Sequence, residues 1–436
     1  MYALIDCNNF YASCERLFRP DLRQVPIIVL SSNDGCVIAR SNEAKTLGVG
    51  MGEPFFKVRA LCRQHQIQIF SSNFSLYGDL SSRVMQTIEA TWPHVEIYSI
   101  DEAFLDLSTL PGKQRHRFCL ELHGKLLRHT GIPTSIGIGP TRTLAKIANH
   151  IAKKMLQTPV FDVSDSPFFW LDKIPVGEVW GVGRKWSDKL IVMGIKTAGD
   201  LARADIALIR QRFSVVMQRT AYELRGLSCL TLDEGEPKKS ILSSKSFGNL
   251  QTGYDDIAQA ISNHTARAWE KMRRQKLTTH YLSVFVRSSP FRSDLPQYAN
   301  NAGYRLVTPS DDLRHLTHCA KRCLQSIFKE GIYYQKAGVM LEELRPKEPT
   351  QADLFHHVSE AHRHKTERLM QIMETINDKF GRHSVRLAAE GHCRPWSLQA
   401  QIKSPAYTTR WSELPVVNTG DHVMIARIVT PPWKNT

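Results

Sequence analysis

The sequence feature that most restricts the fold is an apolar strand–turn–strand pattern, IYSIDEAFLDL, over Ile97–Leu107. Such a pattern predicts a β-hairpin. Two adjacent carboxylates, Asp101 and Glu102, lie at its turn. Neighbouring carboxylates repel one another, and a bound divalent cation would remove that cost because Mg²⁺ takes carboxylate oxygens. The alternative is a pair of solvated turn acids, which is the usual interpretation of an isolated acidic dipeptide.

A third acid favours the metal site over that alternative. Asp6 ends the apolar N-terminal run Tyr2–Ile5, which is typical of a short buried strand. If this strand pairs with the hairpin, three carboxylates gather at one edge of a sheet. Such a cluster can hold two metal ions about 3.5–4 Å apart, the arrangement used for in-line phosphoryl transfer.

The order of the predicted elements indicates the fold around these acids. Strand 2–6 precedes helix 8–18, helix 75–92 precedes the hairpin, and helix 114–130 precedes strand 133–139. Residues 25–72 form a separate small insert. Without the insert the order is β-α-β-β-α-β, the split βαβ or ferredoxin-like unit. We therefore predict an α+β multidomain protein.

Three segments in this order resemble the Y-family of translesion DNA polymerases. They are ALIDCNNFYASCE at 3–15, YSIDEAFLDL at 98–107 and SIGIGPTRTLAKIA at 135–148. The similarity is greatest to the UmuC-type branch, the catalytic subunits of bacterial DNA polymerase V and their plasmid-borne relatives, and it extends to about residue 415. It implies a right-hand polymerase with a ferredoxin-like palm, small fingers, a helical thumb containing a helix-hairpin-helix, and an α/β little finger. The implied boundaries are 1–24 and 73–168 for the palm, 25–72 for the fingers, 169–235 for the thumb, 241–345 for the little finger and 346–436 for a C-terminal tail.

The resemblance also implies the roles of the residues at the palm edge. Asp6, Asp101 and Glu102 would be catalytic and would bind two Mg²⁺, with the Cys7 carbonyl as a further ligand and dNTPs as substrates. Tyr11 would be the steric gate, an aromatic ring beneath the incoming sugar that collides with a ribose 2′-OH. An ordinary core tyrosine is the alternative for Tyr11.

Further cations are implied to contact the incoming nucleotide. The residues near the triphosphate would be Arg40, Asn42, Lys45 and Lys153. Many relatives have Tyr and Arg where this chain has Asn42 and Lys45, and a solvated lysine is the alternative for Lys45. Arg142 and Lys146 open the helix after the fourth palm strand, where a helix N-terminus can bind phosphate, and we expect them to serve the same polyanion.

Net charge and two further segments predict primer–template DNA as the partner. The chain has 57 Lys and Arg against 42 Asp and Glu, which suits a polyanion. Gly181 and Gly183 match the helix-hairpin-helix position, where backbone N–H groups meet a phosphate; a glycine helix C-cap is the alternative. The little finger has fifteen Lys and Arg against nine Asp and Glu over 241–345. Its predicted DNA-binding residues are Arg273, Arg274 and Lys276.

The C-terminal tail predicts protein partners. Gln351, Leu354 and Phe355 match the sliding-clamp pentapeptide Q-x-x-L-F within an exposed linker, where apolar side chains can fill a pocket on docking. A packed helix start is the alternative. The segment SPAYTTRWSELP at 404–415 resembles the tail that engages a processed UmuD-like dimer, and the family also implies RecA as a partner. The Asp421–Val429 run is typical of a strand.

Other features indicate the cellular setting. Nine Cys are scattered without zinc spacing, which favours a reducing cytoplasm, and no run of 18 apolar residues predicts a membrane span. We expect a cytoplasmic protein, associated with the nucleoid when active.

No exonuclease acid cluster is evident. The predicted function is that of an error-prone translesion DNA polymerase subunit of SOS mutagenesis, without proofreading. A nucleotide cyclase-type enzyme, which shares this palm, and a non-catalytic DNA-binding scaffold are the alternatives.

Overall fold

The chain folds into two units and returns to the first unit after completing the second. The computed structural model describes residues 1–230, 238–347, 360–391, 396 and 400–414. The first unit is Met1–Glu234 with Gln401–Thr436, and the second is Gly235–Ala400. The predicted clamp pentapeptide and the predicted strand at Asp421–Val429 lie outside the described residues.

The palm and fingers elements alternate along the first part of the chain. They are β1 (Tyr2–Cys7), α1 (Phe10–Leu17), β2 (Ile27–Leu30), β3 (Val37–Arg40), α2 (Asn42–Thr46), α3 (Phe55–Gln64), β4 (Gln68–Ser71), α4 (Phe74–Glu89), β5 (Val95–Ile97), β6 (Glu102–Asp106), α5 (Gly112–Thr130), β7 (Thr134–Gly139), α6 (Arg142–His150) and β8 (Val160–Asp162). One sheet has the order β5-β6-β1-β7-β8, with β1 antiparallel to both β6 and β7. The predicted pairing of the first strand with the hairpin is confirmed.

The two faces of this sheet follow from the alternation of side chains along β1. Ile5 belongs to the large apolar core that also contains buried side chains of α4 and α5. Leu4 packs on the opposite face against Phe104 of β6 and Ala145 of α6. Since side chains two apart share a face, Asp6 lies on the same face as Leu4. The end of β1 therefore presents its carboxylate on the side of the sheet where α6 packs.

Two glycines let α6 approach the sheet closely. A Cβ placed on Gly137 would lie 2.1 Å from the backbone N of Asn149, and one on Gly139 would lie 2.8 Å from the N of Ala145. The side chain of Asn149 then donates a hydrogen bond to the Ser135 carbonyl at 2.8 Å. After α6 the chain forms a π-helical turn, a feature that is frequent at functional sites. The SIGIG segment thus positions the helix that faces Asp6.

The fingers form a small three-stranded sheet with the order β3-β2-β4. Its core is a separate apolar cluster that includes Ile28, Val37 and Ile69, with Ile402 of the C-terminal segment packed against it. Ser71, at the end of β4, forms a parallel bridge with Lys403. Residues 401–414, which we call the C-terminal segment, therefore belong to the first unit.

The thumb is helical, as predicted. Its helices are α7 (Pro167–Leu171), α8 (Arg184–Val192), α9 (Ala198–Arg203), α10 (Ile206–Arg212) and α11 (Val215–Leu224). Glu223 of α11 is fully buried, and its carboxylate accepts hydrogen bonds from the backbone N–H groups of Thr143 at 3.0 Å and Cys229 at 2.7 Å. This buried acid ties the last thumb helix to the start of α6.

The second unit repeats the order β-α-β-β-α-β. Its elements are β9 (Ser240–Gln251), α12 (Tyr254–Arg274), β10 (Leu277–Ser288), β11 (Ala299–Ser310), α13 (Leu313–Ile327), β12 (Tyr334–Glu342), β13 (Arg345–Pro346) and α14 (Glu360–Phe380). The main sheet has the order β11-β10-β12-β9. The apolar spacing of α12 and α13 and the alternation of β10 and β12 are visible in the sequence, whereas β9 and β11 are rich in polar residues and give no such pattern.

Helix α14 packs on the core of this second unit. Met370 and Met373 are buried there, and Met370 lies in the same cluster as Leu313. This helix begins at Glu360 and ends at Phe380. Within the residues that the structure describes, no helix is long and apolar enough to span a membrane.

Candidate active site

The three predicted catalytic acids meet where β1 ends and the hairpin turns. Asp6 is directly opposite Glu102 in the antiparallel pair of β1 and β6, so their side chains are cross-strand neighbours. The backbone N–H of Cys7 donates to the Asp101 carbonyl at 2.9 Å, which holds the turn against the end of β1. Residues about one hundred positions apart in sequence thus form one acidic edge.

Ser99 shapes the turn that carries two of these acids. Its Oγ donates to Asp101 Oδ1 at 2.6 Å and accepts from the backbone N–H groups of Asp101 at 3.2 Å and Glu102 at 3.0 Å. Sequence analysis did not single out Ser99. Its position two residues before an acid was the available signal, since Ser and Asp form such local turn hydrogen bonds.

Two lysines from the α6 side neutralise the acids. Lys153, on the π-helical turn, contacts Asp6 Oδ1, and Lys146 Nζ lies 2.9 and 3.1 Å from the two carboxylate oxygens of Glu102. In the described parts of the chain, no three His, Cys, Asp or Glu side chains are already arranged to hold a metal ion. A divalent cation bound by these acids would compete with the two ammonium groups for the carboxylate oxygens of Asp6 and Glu102.

The electrostatics of Asp6 indicate that its carboxyl group would benefit from such a cation. Burial raises the pKa of Asp6 to about 6; Lys153 opposes this shift, while the negative charges of Glu102 and Asp101 add to it. Burial likewise raises the pKa of the Cys7 thiol. The Cys7 side chain belongs to the apolar core, so only its carbonyl oxygen could serve as a ligand. Three carboxylates and a carbonyl are the oxygen donors that Mg²⁺ prefers, and this donor set fits the ion.

Three aromatic rings surround the ammonium group of Lys146. Its Nζ is 4.6 Å from the ring centroid of Tyr98, 5.1 Å from that of Trp180 and 5.7 Å from that of Phe104. Cations are attracted to aromatic faces at such distances. The three rings and the ion pair with Glu102 hold the Lys146 side chain in place. We had expected this side chain to be available to a triphosphate.

Arg142 also differs from the expectation. It is 5% exposed, pairs with Glu96 and lies 4.3 Å from the ring centroid of Phe104. A guanidinium buried in this way supports the packing of α6 on the sheet. Contact between Arg142 and the nucleotide stays a prediction, and the burial of Arg142 and its ion pair with Glu96 weigh against it.

Tyr11 lies near the acidic edge on α1. Its ring stacks on Tyr77 with 4.4 Å between centroids and an interplanar angle of 16°, and Phe74 meets it edge-on at 6.0 Å. Burial raises the pKa of its hydroxyl, and the charge of Asp101 adds to this shift. A partly exposed ring beside the acids fits the predicted steric gate better than an ordinary core tyrosine does.

Lys45 and Asn42 lie together on the short fingers helix α2. Lys45 Nζ donates to Asn9 Oδ1 at 2.5 Å and to Asn42 Oδ1 at 3.1 Å. Burial lowers the pKa of Lys45, and the positive charges of Arg40 and Lys153 add to this effect. The cations predicted to contact the nucleotide thus share one electrostatic neighbourhood, as a polyanion site requires.

Asn9 was missed by sequence analysis. It has a left-handed φ of 48° at the start of α1, a conformation that Asn tolerates better than most residues. The paired asparagines before the helix were the available signal.

Arg40, another residue predicted to lie near the triphosphate, contacts the backbone of the fingers. Its guanidinium group donates a hydrogen bond to the carbonyl of Val49.

The predicted DNA contacts of the thumb lie at the start of α8. Gly181 has a φ of +86°, and Gly183 is the N-cap residue of α8. Both are exposed, and a Cβ on Gly183 would meet nothing within 4 Å. Free backbone N–H groups at an exposed helix start can bind a phosphate.

One of the three residues predicted to bind DNA in the second unit, Arg273, is largely buried, whereas the other two are exposed. Arg273 pairs with Asp311, Glu367 and Glu374, and its side chain is 9% exposed. DNA binding by Arg273 stays a prediction, and these ion pairs weigh against it. Lys276 is exposed, and Arg274 is half-exposed with Asp378 at 3.9 Å.

Three family models match the chain. The impB/mucB/samB family matches residues 5–150, its C-terminal domain matches 238–354, and a domain of unknown function, DUF4113, matches 367–417. The first match includes the acidic edge, and the second covers the part of the second unit from β9 to β13.

Curated relatives extend over nearly the whole chain. A protein named UmuC from Salmonella typhimurium strain LT2 is 45% identical over 95% of this chain and 99% of its own length. A protein named ImpB from Salmonella typhimurium is 42% identical over 96% of this chain and 100% of its own. A protein named DNA polymerase IV from Bacillus velezensis is 26% identical over 88% of this chain.

Solved structures share the fold at low identity. A Y-family DNA polymerase chimera of Dbh and Dpo4 matches 79% of this chain and 99% of its own with a TM-score of 0.66 and 17% identity. An insertion ternary complex of Dbh DNA polymerase covers the same shares with a TM-score of 0.56 and 16% identity.

Proposed function

Because the chain belongs to the UmuC-type, impB/mucB/samB branch of the Y-family of DNA polymerases, we propose that it copies damaged templates by two-metal nucleotidyl transfer during SOS mutagenesis, without proofreading. It is a DNA-directed DNA polymerase, and this sets aside the cyclase and the non-catalytic scaffold. The observation that carries the proposed mechanism is the acidic edge, where Asp6 faces Glu102 and Cys7 holds the Asp101 backbone.

The acidic edge would hold two Mg²⁺ through Asp6, Asp101, Glu102 and the carbonyl of Cys7. When bound, the ions would lower the pKa of the primer 3′-OH and stabilise the charge on the triphosphate. Ser99 keeps the Asp101 carboxylate oriented before any ion arrives. Because of this preorganisation, the Asp101 carboxylate itself would need little rearrangement during the reaction.

Lys153 would change partners during this cycle. In the structure it contacts Asp6, where a cation would compete with it. Once displaced, its ammonium group can meet the triphosphate, as can Lys45 of the fingers, whose neighbourhood it shares. Arg40 and Asn42 lie on the same side of the fingers and would complete the nucleotide pocket.

Replacing Lys153 by Ala tests this role. We expect kcat/KM for dNTP insertion to fall by about ten- to a hundredfold, because one charge-assisted contact to the triphosphate is lost. Steady-state single-nucleotide insertion measures the change. Lys154→Ala is the matched control, because Lys154 is 61% exposed and pairs with Glu178 at 3.1 Å. Equal losses in both variants would refute a specific role for Lys153.

The thumb and the little finger would each bind the backbone of primer–template DNA. In the thumb, the support comes from the exposed N-terminus of α8 with Gly181 and Gly183. In the little finger, exposed Lys276 and Arg274 are the remaining candidates of the predicted set. Contacts of this kind position the duplex without reading its sequence.

The sliding clamp is proposed as a partner on the sequence of Gln351, Leu354 and Phe355. Changing Leu354 and Phe355 to Ala is expected to abolish stimulation of primer extension by the clamp while leaving distributive synthesis unchanged, since only the docking side chains are removed. Extension with and without loaded clamp measures both quantities. A parallel loss of distributive synthesis would contradict the assignment.

Two further partners and the cellular setting complete the proposal. A processed UmuD-like dimer and RecA are proposed because the relatives include a protein named UmuC. The protein would encounter these partners in the cytoplasm, and at the nucleoid when it is active.

Primer extension on a lesion-bearing template, with Mg²⁺ and four dNTPs, tests the proposed function. We expect synthesis past the lesion, increased by the UmuD-like dimer and RecA. Synthesis that always stops before the lesion, on material that copies undamaged templates, would contradict the translesion role.

A further inference from the structure

The C-terminal segment packs against the palm and fingers over its first seven residues. The backbone N–H of Ser71 donates to the Ile402 carbonyl at 3.0 Å, and the Ile402 N–H donates to Ser71 Oγ at 3.0 Å. Tyr407 is 9% exposed and stacks on Phe18, the C-cap residue of α1, with 4.6 Å between ring centroids. These contacts attach both ends of residues 402–407 to the first unit, with Ile402 partly buried and Tyr407 buried.

A buried carboxylate lies under the middle of this segment. Glu15 of α1 is 1% exposed, and its Oε1 accepts hydrogen bonds from Tyr77 Oη at 2.6 Å and from Ser404 Oγ at 3.0 Å. Its Oε2 is buried and has no hydrogen-bond partner among the described residues. Burying a carboxylate is costly unless donors reach it, so these two hydroxyl groups determine where the Glu15 side chain lies.

Asn73 holds Ser404 from the other side. Its Nδ2 donates to the Ser404 carbonyl at 3.1 Å and contacts Ser404 Oγ at 2.9 Å, while its Oδ1 accepts from Leu76 N–H as the N-cap of α4. Tyr77 lies one turn into the same helix. The C-terminal segment is therefore tied to the start of α4 as well as to Glu15.

The same network ends beneath Tyr11. Tyr77 is fully buried, and its ring is the surface on which the Tyr11 ring stacks at 4.4 Å. Tyr11 and Glu15 are also one helical turn apart on α1, so both ends of the contact are set by the same helix. A displaced Tyr77 would change the position of the Tyr11 ring.

We propose that the C-terminal segment is part of the sugar-selecting wall of the active site: Ser404, through Glu15 and Tyr77, positions the ring of Tyr11. The positioning residues are Ser404, Glu15 and Tyr77. They act on the nucleotide only through the side chain of Tyr11. This inference rests on the proposed role of Tyr11 as the steric gate. It gives a function to residues inside the match to a domain of unknown function.

Ser404→Ala in the full chain tests the proposal. The kcat/KM values for a dNTP and the matching rNTP are measured on one primer–template. We expect the deoxy-to-ribo ratio to fall by roughly three- to tenfold, because one of two hydrogen bonds to a buried carboxylate is lost. The kcat for the dNTP should change less than this ratio, which a general loss of folded enzyme would not produce. Ser412→Ala, an exposed serine of the same segment, is the matched control and should leave the ratio unchanged.

Tyr77→Phe keeps the stacked ring and removes the hydroxyl group, so it supplies a second variant if Ser404→Ala does not fold. It should lower the ratio by a similar factor. An unchanged ratio in either folded variant would overturn the proposal.

Combining Ser404→Ala with Tyr11→Ala separates this inference from the role on which it rests. If Tyr11 selects the sugar, Tyr11→Ala alone lowers the ratio, and adding Ser404→Ala lowers it no further. If Tyr11→Ala has no effect on the ratio, the steric-gate role fails and the inference fails with it. If Tyr11→Ala lowers the ratio but Ser404→Ala alone does not, only the inference fails.

Discussion

Replacing Asp101 by Asn is expected to lower the rate of dNTP insertion by at least about a thousandfold, because the proposed site would lose one of the carboxylates assigned to metal binding, and the members of a catalytic site act together. The variant should remain folded and should bind primer–template DNA as tightly as the unchanged chain. Asn keeps an oxygen that can accept the hydrogen bond from Ser99, so the turn itself is preserved. Single-turnover insertion measures the rate, and fluorescence anisotropy measures DNA binding.

Asp106→Asn is the matched control for this experiment. Asp106 ends the same strand, β6, and its carboxylate accepts hydrogen bonds from Ser108, away from the acidic edge. Its insertion rate should stay within about twofold of the unchanged chain, as for most surface substitutions. Comparable losses in the two variants would show that any acid of this hairpin supports the fold and that Asp101 has no special role in catalysis.

The second large effect is expected from Tyr11→Ala. If Tyr11 is the proposed steric gate, removing its ring opens space beneath the incoming sugar, and we expect discrimination against rNTPs to fall by about a hundredfold, within the range that one steric contact can supply. Insertion of the matching dNTP should decrease much less. The ratio of kcat/KM for dNTP and rNTP on one template is the measurement.

Tyr11→Phe is the control for that substitution. It keeps the stack on Tyr77 and the edge contact with Phe74, so it should retain the discrimination of the unchanged chain. If Tyr11→Ala leaves the ratio unchanged, the ring does not select the sugar. If Tyr11→Phe and Tyr11→Ala both lower the ratio, the hydroxyl group of Tyr11 makes the contact that selects the sugar.

The acidic edge could be predicted from the sequence because its signals are local. Asp6 ends an apolar strand, and the acids Asp101 and Glu102 interrupt an apolar hairpin. The βαββαβ order follows from alternating apolar periods, and strand pairing then brings the acids together. Patterns of this kind depend only on residues a few positions apart.

The partners of the acids could not be predicted in the same way. Lys146 and Lys153 were both expected to meet a phosphate, but in the structure they pair with Glu102 and Asp6. Which charge a lysine meets depends on the close packing of α6 on β7, and that packing depends on contacts made only in three dimensions. The strands β9 and β11 were missed for a related reason, because their polar residues give no apolar alternation.

The contacts of the C-terminal segment are the most distant in sequence and were the least predictable. Ser404 meets Glu15 across 389 positions. Glu15 stands out in retrospect, since it is an acid one turn after Tyr11 on a helix with a buried face. Nothing near Ser404 in the sequence indicates a carboxylate partner.

Counting the divalent ions bound to the assembled complex tests the central claim most directly. The full chain is mixed with dideoxy-terminated primer–template and the next dNTP, and Mn²⁺ binding is followed by electron paramagnetic resonance. We expect two Mn²⁺ per complex in the unchanged chain and in Asp106→Asn, and fewer in Asp101→Asn. Equal numbers of bound ions in Asp101→Asn and the unchanged chain would show that this carboxylate does not hold the metals.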